Sequence, residues 1–487
     1  MEAEVVIVGA GPTGLLLAYE LGLAGVPALV LDKAAHPDEQ PRANGLVGRI
    51  TRVLAYRGLL DGLPVQPLAV PRFPFGPLAL ELDRLPASPL HVLPIPQRRL
   101  EDLLGDAATR VGATVRRGHE VTGFEETGDG LVVRVQGPGD EYRLTTAYLV
   151  GCDGARSFVR KRAGIAFPGV TSDEVVRMAR VTMPPDEVDI ADGSLSVRGV
   201  RLALMRPNRT ATGSVTIAPQ AMLDPTAAPD EYILAVAEPL SANVPDAVTL
   251  DELRESVGRV LGTDLPITGA RWPRVTVANS RQAAAYRSGR VLLAGDAAHL
   301  FSAGGAALNA GLLDAVNLGW KLAAAVRGTA PAGLLDTYHA ERHPAGHRAI
   351  LHTRAQAALS VAGENAEALR ELLAELLRHP EPLAHLATVM EGGEASAWAP
   401  DALAGPPAAY AREQLRVGGT LLVDTTEGAE LGAIVGPWRS HLTLVEAPGA
   451  GVCALVRPDG YLAWTGETGE GLPEALATWT ARREAGT

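Results

Sequence analysis

Val5-Val-Ile-Val8-Gly9-Ala-Gly11-Pro12-Thr13-Gly14-Leu15-Leu-Leu-Ala-Tyr-Glu-Leu21 is the stretch that decides the fold. Four β-branched residues give way to glycines at positions 9, 11 and 14, and an apolar run from Leu15 to Ala24 follows, closed by Gly25. This reads as strand, glycine turn and helix; Ala28 to Leu31 is strand-like again and completes a β-α-β unit. In such a unit the first glycine permits a tight turn, the second lets the main chain approach a pyrophosphate, and the third lets helix and strand pack closely. The helix N-terminus then offers N–H groups and a positive dipole end to an anion. Asp32 closes the second strand, eighteen residues after Gly14, where a carboxylate can accept hydrogen bonds from ribose hydroxyls. The first thirty-odd residues are therefore expected to hold a dinucleotide.

At 487 residues the chain is too long for one ordinary core, so two or three domains are expected. The formal charge of -12 is dispersed along the chain and reads as a solvated acidic surface, which argues against nucleic acid as a partner. Cys152 and Cys453 form neither a CxxC nor a metal-ligand cluster, so a reducing cytoplasm and no metal are expected. No basic segment precedes Val5, and the apolar run breaks at Gly9, which argues against a signal peptide. No apolar stretch reaches membrane-spanning length. A soluble, cytoplasmic protein follows, as monomer or homodimer.

Further along, a helix is expected at about 99 to 112 and strands at about 114 to 117, 131 to 136 and 145 to 150. From 166 to 278 short apolar runs such as Val175 to Val181, Leu202 to Met205 and Gly213 to Ile217 alternate with Pro, Asn and Asp, the texture of a mostly antiparallel sheet. The strand Val291 to Ala294 and a helix from about Leu308 to Val326 return to the α/β pattern. A helical stretch from 334 to 358 contains Pro344, which is expected to kink or break it. Helix continues over 363 to 392, and the Pro/Ala/Gly-rich segment 399 to 409 reads as a linker. Strands near Thr420 to Val423, His441 to Val445, Val452 to Val456 and Tyr461 to Trp464 make a small terminal domain.

Two more stretches carry chemistry. Leu149-Val-Gly-Cys-Asp153-Gly-Ala-Arg-Ser157-Phe-Val-Arg160 resembles the DG motif of the class A flavoprotein monooxygenases, and Arg290-Val-Leu-Leu-Ala-Gly295-Asp296-Ala-Ala-His299 resembles their GD motif. Between these and the N-terminus, Arg42 in Pro-Arg-Ala-Asn and Gln97 in Ile-Pro-Gln-Arg-Arg match FAD-contacting positions of the same family, and Tyr338-His-Ala-Glu341-Arg342-His-Pro344 matches its later helix signature, all in family order. The resemblance is in particular to the bacterial aromatic-polyketide hydroxylases and rifampicin monooxygenases. It implies an α/β fold: a Rossmann-like, glutathione-reductase-type FAD domain in two segments (1–165 and 279–398, the latter with a helical region), an inserted antiparallel substrate domain (166–278), and a thioredoxin-like C-terminal domain (399–487) with no redox role, since it lacks CxxC.

Carried over residue by residue, the resemblance implies that Gly9, Gly11, Pro12, Thr13 and Gly14 cradle the pyrophosphate of FAD, with Lys33 and Val121 among the cofactor contacts. Asp32 would hold the adenosine ribose, while Arg42, Gln97, Gly295 and Asp296 hold the ribityl-pyrophosphate region and Asp153 lies near the same phosphates. The stretch Gly304, Gly305, Ala307, Leu308 and Asn309 would meet the flavin. NADPH or NADH is the implied transient reductant, with no second glycine motif to bind it. Arg160, Lys161 and Arg162 read equally as a solvated basic face or as a lure for that reductant. His299 reads as structural, and Arg201, Arg206 and Arg209 as solvated surface. No catalytic side chain emerges.

The pattern breaks after the GD motif. Where the family carries His-Pro-Pro-x-Gly-Gly-Gln-Gly-Leu-Asn, this chain reads His299-Leu-Phe301-Ser302-Ala-Gly304-Gly305-Ala306-Ala307-Leu308-Asn309; counted back from Asn309, Ala306 replaces the glutamine, Ala307 a glycine, and Phe301 and Ser302 the prolines. A helix beginning near Leu308 can still stabilise negative charge on a reduced flavin. The oxygen-reacting edge is what changes. Two functions stay open: oxygenation of a large apolar, polyketide-like substrate through a flavin C4a-hydroperoxide, or a non-redox [4+2] cyclisation of the spirotetramate type in which FAD is structural.

Overall fold

The computed structural model describes residues 3–38, 43–86, 90–222, 227–240, 248–301, 306–361, 363–392, 398–427 and 431–482. It is a mixed α/β fold. The opening strand Val5–Val8 lies at the centre of a six-stranded sheet whose order is Arg287–Ser288, Val291–Leu293, Tyr148–Gly151, Val5–Val8, Leu29–Asp32, Thr114–Arg117. The last five run parallel. Both faces of such a sheet must be covered, which explains why Val5, Val6 and Ile7 are fully buried without alternation. The helix Pro12–Leu23 starts earlier than its apolar run, because Pro12 sits where a missing N–H costs nothing, and Leu15 to Leu21 are all buried. Chain order reverses at Val5–Val8, with Leu29–Asp32 on one side and Tyr148–Gly151 on the other, so the crevice at the carboxyl ends of these strands is a ligand site by topology.

The second large sheet is antiparallel throughout, in the order Asn208–Thr210, Gly213–Pro219, Glu231–Pro239, Gly169–Thr182, Gly269–Gln282, His299–Leu300. Its edge strand is the end of the GD motif, with His299 paired to Gln282, so the two sheets are joined where the motif leaves the first. One face buries Val181, Leu234 and Val236 against the helix Leu250–Leu261. Thr249 caps that helix by accepting from the Glu252 N–H at 3.2 Å, and Gly262 ends it at φ +71°.

The C-terminal sheet runs Thr443–Glu446, Leu421–Asp424, Cys453–Val456, Leu462–Gly466, with the first pair parallel and the others antiparallel. Its two faces bury separate clusters, Leu421, Val423 and Ala454 on one side and Leu422, Cys453 and Leu455 on the other.

Several elements differ from the sequence reading. The expected break at Pro344 does not occur: Thr337–Leu359 is one helix, because Tyr338, Arg342, Gly346 and Ile350 are buried on both sides of the proline and outweigh one missing hydrogen bond. The expected linker is helical, with Ala399–Ala402 and Gly405–Val417 each carrying proline in its first turn. The helical stretch after 363 is two helices, Glu364–Leu376 and Pro380–Met390. The expected strand 145 to 150 is the end of Glu141–Thr146 and the start of Tyr148–Gly151; with Glu120–Glu126 and Leu131–Gln136 the former makes an unforeseen three-stranded sheet. Among the described residues no helix is long and apolar enough to cross a membrane.

Candidate functional site

At the turn after Val5–Val8, Gly9 adopts φ +107°, and a Cβ there would lie 2.4 Å from the Cys152 carbonyl oxygen. A Cβ on Gly14 would lie 2.0 Å from the Gly9 carbonyl oxygen, so helix and turn touch main chain to main chain. Gly11 is different: its φ of -79° and ψ of 178° are ordinary, and a Cβ there meets nothing within 4 Å. The helix it precedes has no side-chain cap and no acid in its first turn, so its N–H groups face open space, as an anion site requires.

That space is a cavity of about 560 Å³. Of the residues singled out from sequence, Gly9, Gly11, Pro12, Thr13, Asp32, Lys33, Gln97, Val121, Asp153, Asp296, Ala307 and Leu308 line it. Gly14 and Gly295 lie behind its wall. A Cβ on Gly295, at φ +64°, would meet the Thr13 side chain at 2.8 Å, so its bareness serves packing. Asn309 turns away and accepts from the Val47 N–H at 2.9 Å. Arg42, Gly304 and Gly305, with Ser302, fall outside the described residues.

Asp32 accepts from the Ala10 N–H at 2.6 Å and from the Ala34 N–H at 2.8 Å, which fixes its carboxylate at the cavity wall with lone pairs to spare. Arg117, absent from the sequence reading, stands in register opposite Asp32 with Nη1 3.8 Å from Oδ2. Only the pairing of the two strands reveals it. Glu101, the acceptor for the Gln97 amide at 2.8 Å, was also missed, although its i,i+4 spacing on one helix was a usable signal.

Asp153 has both oxygens engaged: one accepts from Ser157 Oγ at 2.5 Å, the other from the Val159 N–H at 3.0 Å. It thus holds the short helix Phe158–Arg162 at the cavity edge. Arg160 is no solvated cation. It is buried, donates to the Ala297 carbonyl at 2.8 Å, and lies 3.7 Å over the Phe167 ring, so it ties the DG stretch to the GD stretch. Lys161 and Arg162 are exposed, as are Arg201 and Arg206, while Arg209 is half-buried.

Beneath the GD motif lies a fully buried charge cluster. Asp314 pairs with His299 Nε2 at 2.6 Å and with Arg342 Nε at 2.7 Å, and accepts from the Gly295 N–H at 3.1 Å. Burial pushes the Asp314 carboxyl up, but the His299 and Arg342 charges outweigh it and hold the group below the usual carboxylate range. His299, at 0% exposure, is thereby a structural residue. Arg342 also donates to the Ala310 carbonyl at 3.3 Å, in the first turns of the helix Ala306–Val326.

One residue before Arg342 on the helix Thr337–Leu359, Glu341 accepts from Lys321 at 2.8 Å and from Arg457 of the C-terminal sheet region at 2.6 Å. Burial raises the Glu341 carboxyl, yet Arg457 and Lys321 bring it down to about 2, and burial pulls Lys321 down to about 8 against its partner's attraction. A folded-state value below the unfolded one means that the Glu341 contribution is complete above about pH 4.5 and is lost as pH falls toward about 2. Glu341→Gln is therefore expected to flatten the acid limb: the stability difference from wild type, roughly 3 kcal/mol at neutral pH, shrinks between pH 4.5 and 2 in denaturant titrations. An unchanged acid slope in the variant would contradict the pairing.

A second cavity, about 120 Å³, opens on the other side of the N-terminal turns of Ala306–Val326. Val47, Phe73, Leu313, Ala345, Ala349 and Val389 give it apolar surface, and Asn309, His352, Thr353 and Gln356 with the charged Arg342, Arg348 and Glu391 complete the lining. The helix start thus lies between the cofactor cavity, which Ala307 and Leu308 line, and a smaller cavity of mixed lining that Asn309 and Ala310 border.

A glycine cradle at the switch point of a parallel sheet, joined to an antiparallel sheet through a buried charge cluster, defines a dinucleotide-binding enzyme, and FAD fits it. The open face of Gly11, the uncapped helix and the anchored Asp32 suit its pyrophosphate and ribose, and the far end reaches a second helix start. The FAD binding domain family matches residues 2–353, and the C-terminal domain family of the aromatic-ring hydroxylases matches residues 397–482. The chain belongs to this family of FAD-dependent aromatic-ring hydroxylases. It is 38% identical to the 12-dehydrotetracycline 5-monooxygenase/anhydrotetracycline 6-monooxygenase of Streptomyces rimosus subsp. rimosus, over 98% of this chain and 99% of that one. It is 36% identical to the dialkyldecalin synthase of Streptomyces rugosporus, over 98% and 99%. It superposes on CabE, an aromatic hydroxylase from angucycline biosynthesis, with a TM-score of 0.85, 34% identity and 99% and 100% coverage.

Proposed function

We propose that the chain is a tailoring enzyme that inserts one oxygen atom into a large, apolar, polyketide-like substrate, with NADPH or NADH as transient reductant. The observation that carries this reading is a second cavity with a largely apolar surface against Asn309, the residue next to Leu308 of the cofactor cavity. FAD, when bound, supplies the activation of O2 by a reduced flavin. The protein's part is position and exclusion. Gly11, Thr13 and the helix behind them take the pyrophosphate, Asp32 the ribose, Gln97 and Asp296 the ribityl region; the N-terminus of Ala306–Val326 stabilises negative charge at the ring. The wall of Val47, Leu313, Ala345 and Ala349 excludes water from the face where substrate docks.

A non-redox cyclisation is the second reading, and the altered loop favours it. Phe301, where family relatives carry proline, stacks on the buried His299 with ring centroids 4.9 Å apart. The similarity to dialkyldecalin synthase supports the same reading. Mass spectrometry decides between them. Incubated aerobically with NADPH and anhydrotetracycline or a related polycycle, the protein is expected to yield product heavier by one oxygen atom with matching NADPH oxidation. Product isomeric with a polyene substrate, formed without NADPH or oxygen consumption, would establish the cyclase instead.

The division of the chain follows its cores: a nucleotide domain of two segments around the parallel sheet, the antiparallel sheet inserted between them from about 166 to 278, and a C-terminal unit. That unit's sheet order, with one parallel and two antiparallel pairings, supports a thioredoxin-like fold, and its single buried Cys453 supports the absence of a redox role.

A further inference from the structure

Hairpin turns normally face solvent. The turn Arg457-Pro-Asp-Gly-Tyr461, between the strands Cys453–Val456 and Leu462–Gly466, does not: Arg457, Pro458, Asp459 and Gly460 are all buried against the nucleotide domain. Gly460 is bare because a Cβ would lie 2.5 Å from Trp398 Nε1.

What the turn grips is specific. Arg457 bonds Glu341 at 2.6 Å and Asp459 at 2.6 Å, and Asp459 accepts from the Asn317 amide of the helix Ala306–Val326 at 3.2 Å. The Pro458 carbonyl accepts from Arg57 at 3.0 Å, and Arg57 is itself paired with Glu20 in the glycine-turn helix. The Tyr461 hydroxyl accepts from Arg49 Nη1 at 2.6 Å. Arg49 opens the helix Arg49–Tyr56 two residues after Val47, whose N–H is held by Asn309. Arg49 is 5% exposed, and its Nε is buried without a hydrogen-bond partner among the described residues. It borders a water-sized space of about 10 Å³ with Asn317, Arg342, Asp459 and Tyr461.

The turn therefore touches the segment Val47–Arg49, through Tyr461, and the helix Ala306–Val326, through Asp459; Val47 and Asn309 face the second cavity, while Ala307 and Leu308 of the same helix line the cofactor cavity. We propose that Asp459 and Tyr461 are positioning residues for the flavin ring, with the C-terminal unit acting as a wedge that sets the spacing between Val47 and Asn309. The proposal rests on the reading that the ring end of FAD lies at Leu308 and Asn309. A buried charged seam suits the task, since its directional bonds fix one register where an apolar contact would permit several.

Tyr461→Phe deletes one hydrogen bond and leaves the ring in place. It is expected to weaken FAD binding to the apoprotein about three- to tenfold, and Asp459→Asn by at least as much, by fluorescence titration. Both should shift the visible absorption spectrum of the bound flavin. Leu444→Ala, which loosens the far side of the same C-terminal sheet, is the control for general destabilisation: it should lower Tm while leaving FAD affinity and spectrum unchanged. If both turn variants bind FAD with wild-type affinity and spectrum, or if Leu444→Ala reproduces their effect, the turn is only structural and the proposal is overturned. Wild type that fails to bind FAD at all would instead refute the cofactor reading beneath it.

Discussion

Asp314→Ala should cost about 3–5 kcal/mol of stability, a large share of what a folded chain possesses. The carboxylate is completely buried and meets three donors, so its removal strands the Arg342 guanidinium, the His299 ring and the Gly295 N–H together. A buried charge that loses its partner keeps the whole desolvation penalty, which is why truncating one member is worse than never having built the pair. Thermal unfolding should fall by roughly 5–15 °C. FAD content should fall with it, because Gly295 precedes Asp296 at the cavity wall. Asp314→Asn keeps the shape and should be milder. A variant with wild-type Tm and full flavin occupancy would show that the cluster does not support the GD motif. Because the Asp314 value lies below the usual carboxylate range, the wild-type contribution is present above that range and is lost as pH drops through the depressed value. The difference between wild type and Asp314→Asn should narrow accordingly in acid.

Gly11→Val should do the reverse, abolishing cofactor binding while sparing the fold. The backbone at Gly11 is in a region open to any residue, and a Cβ there meets no protein atom within 4 Å. Its methyls would meet only what enters the cavity. Overpacking of about 1–3 kcal/mol, with loss of a similar amount from phosphate hydrogen bonds, corresponds to roughly a 100-fold or greater loss of FAD affinity. The apoprotein should purify colourless and unfold at its usual temperature. Gly14→Ala makes the contrast, because its Cβ would sit 2.0 Å from the Gly9 carbonyl oxygen and must displace backbone. That variant should lose stability before it loses flavin. A yellow, tightly binding Gly11→Val protein would place the phosphates elsewhere.

The sequence speaks most clearly where the physics is local. Gly9, Gly11 and Gly14 act through neighbours a few residues away, and Asp32 binds the N–H two residues on, so spacing alone indicates their geometry. The helix Leu250–Leu261 was equally legible, with Thr249 and Glu252 at capping-box spacing before an apolar periodicity and Gly262 after it, yet the strand-rich texture around it obscured the signal. Pro344 and the proline-rich segment after Trp398 misled in the opposite direction, because local propensity was weighed without the burial that overrides it.

By itself the sequence determined the cradle, the two kinds of sheet and the order in which they occur, since hydrophobic period, glycine placement and helix start signals act over a few residues. Only the tertiary structure decided that Arg160 is buried, that Arg117 faces Asp32, that Asp314 joins His299 to Arg342, and that a turn near the far end of the chain reaches the helix Ala306–Val326. Those are pairings between charges distant in sequence. No period or spacing encodes such a partner, because what selects it is the desolvation of both groups when separate elements pack.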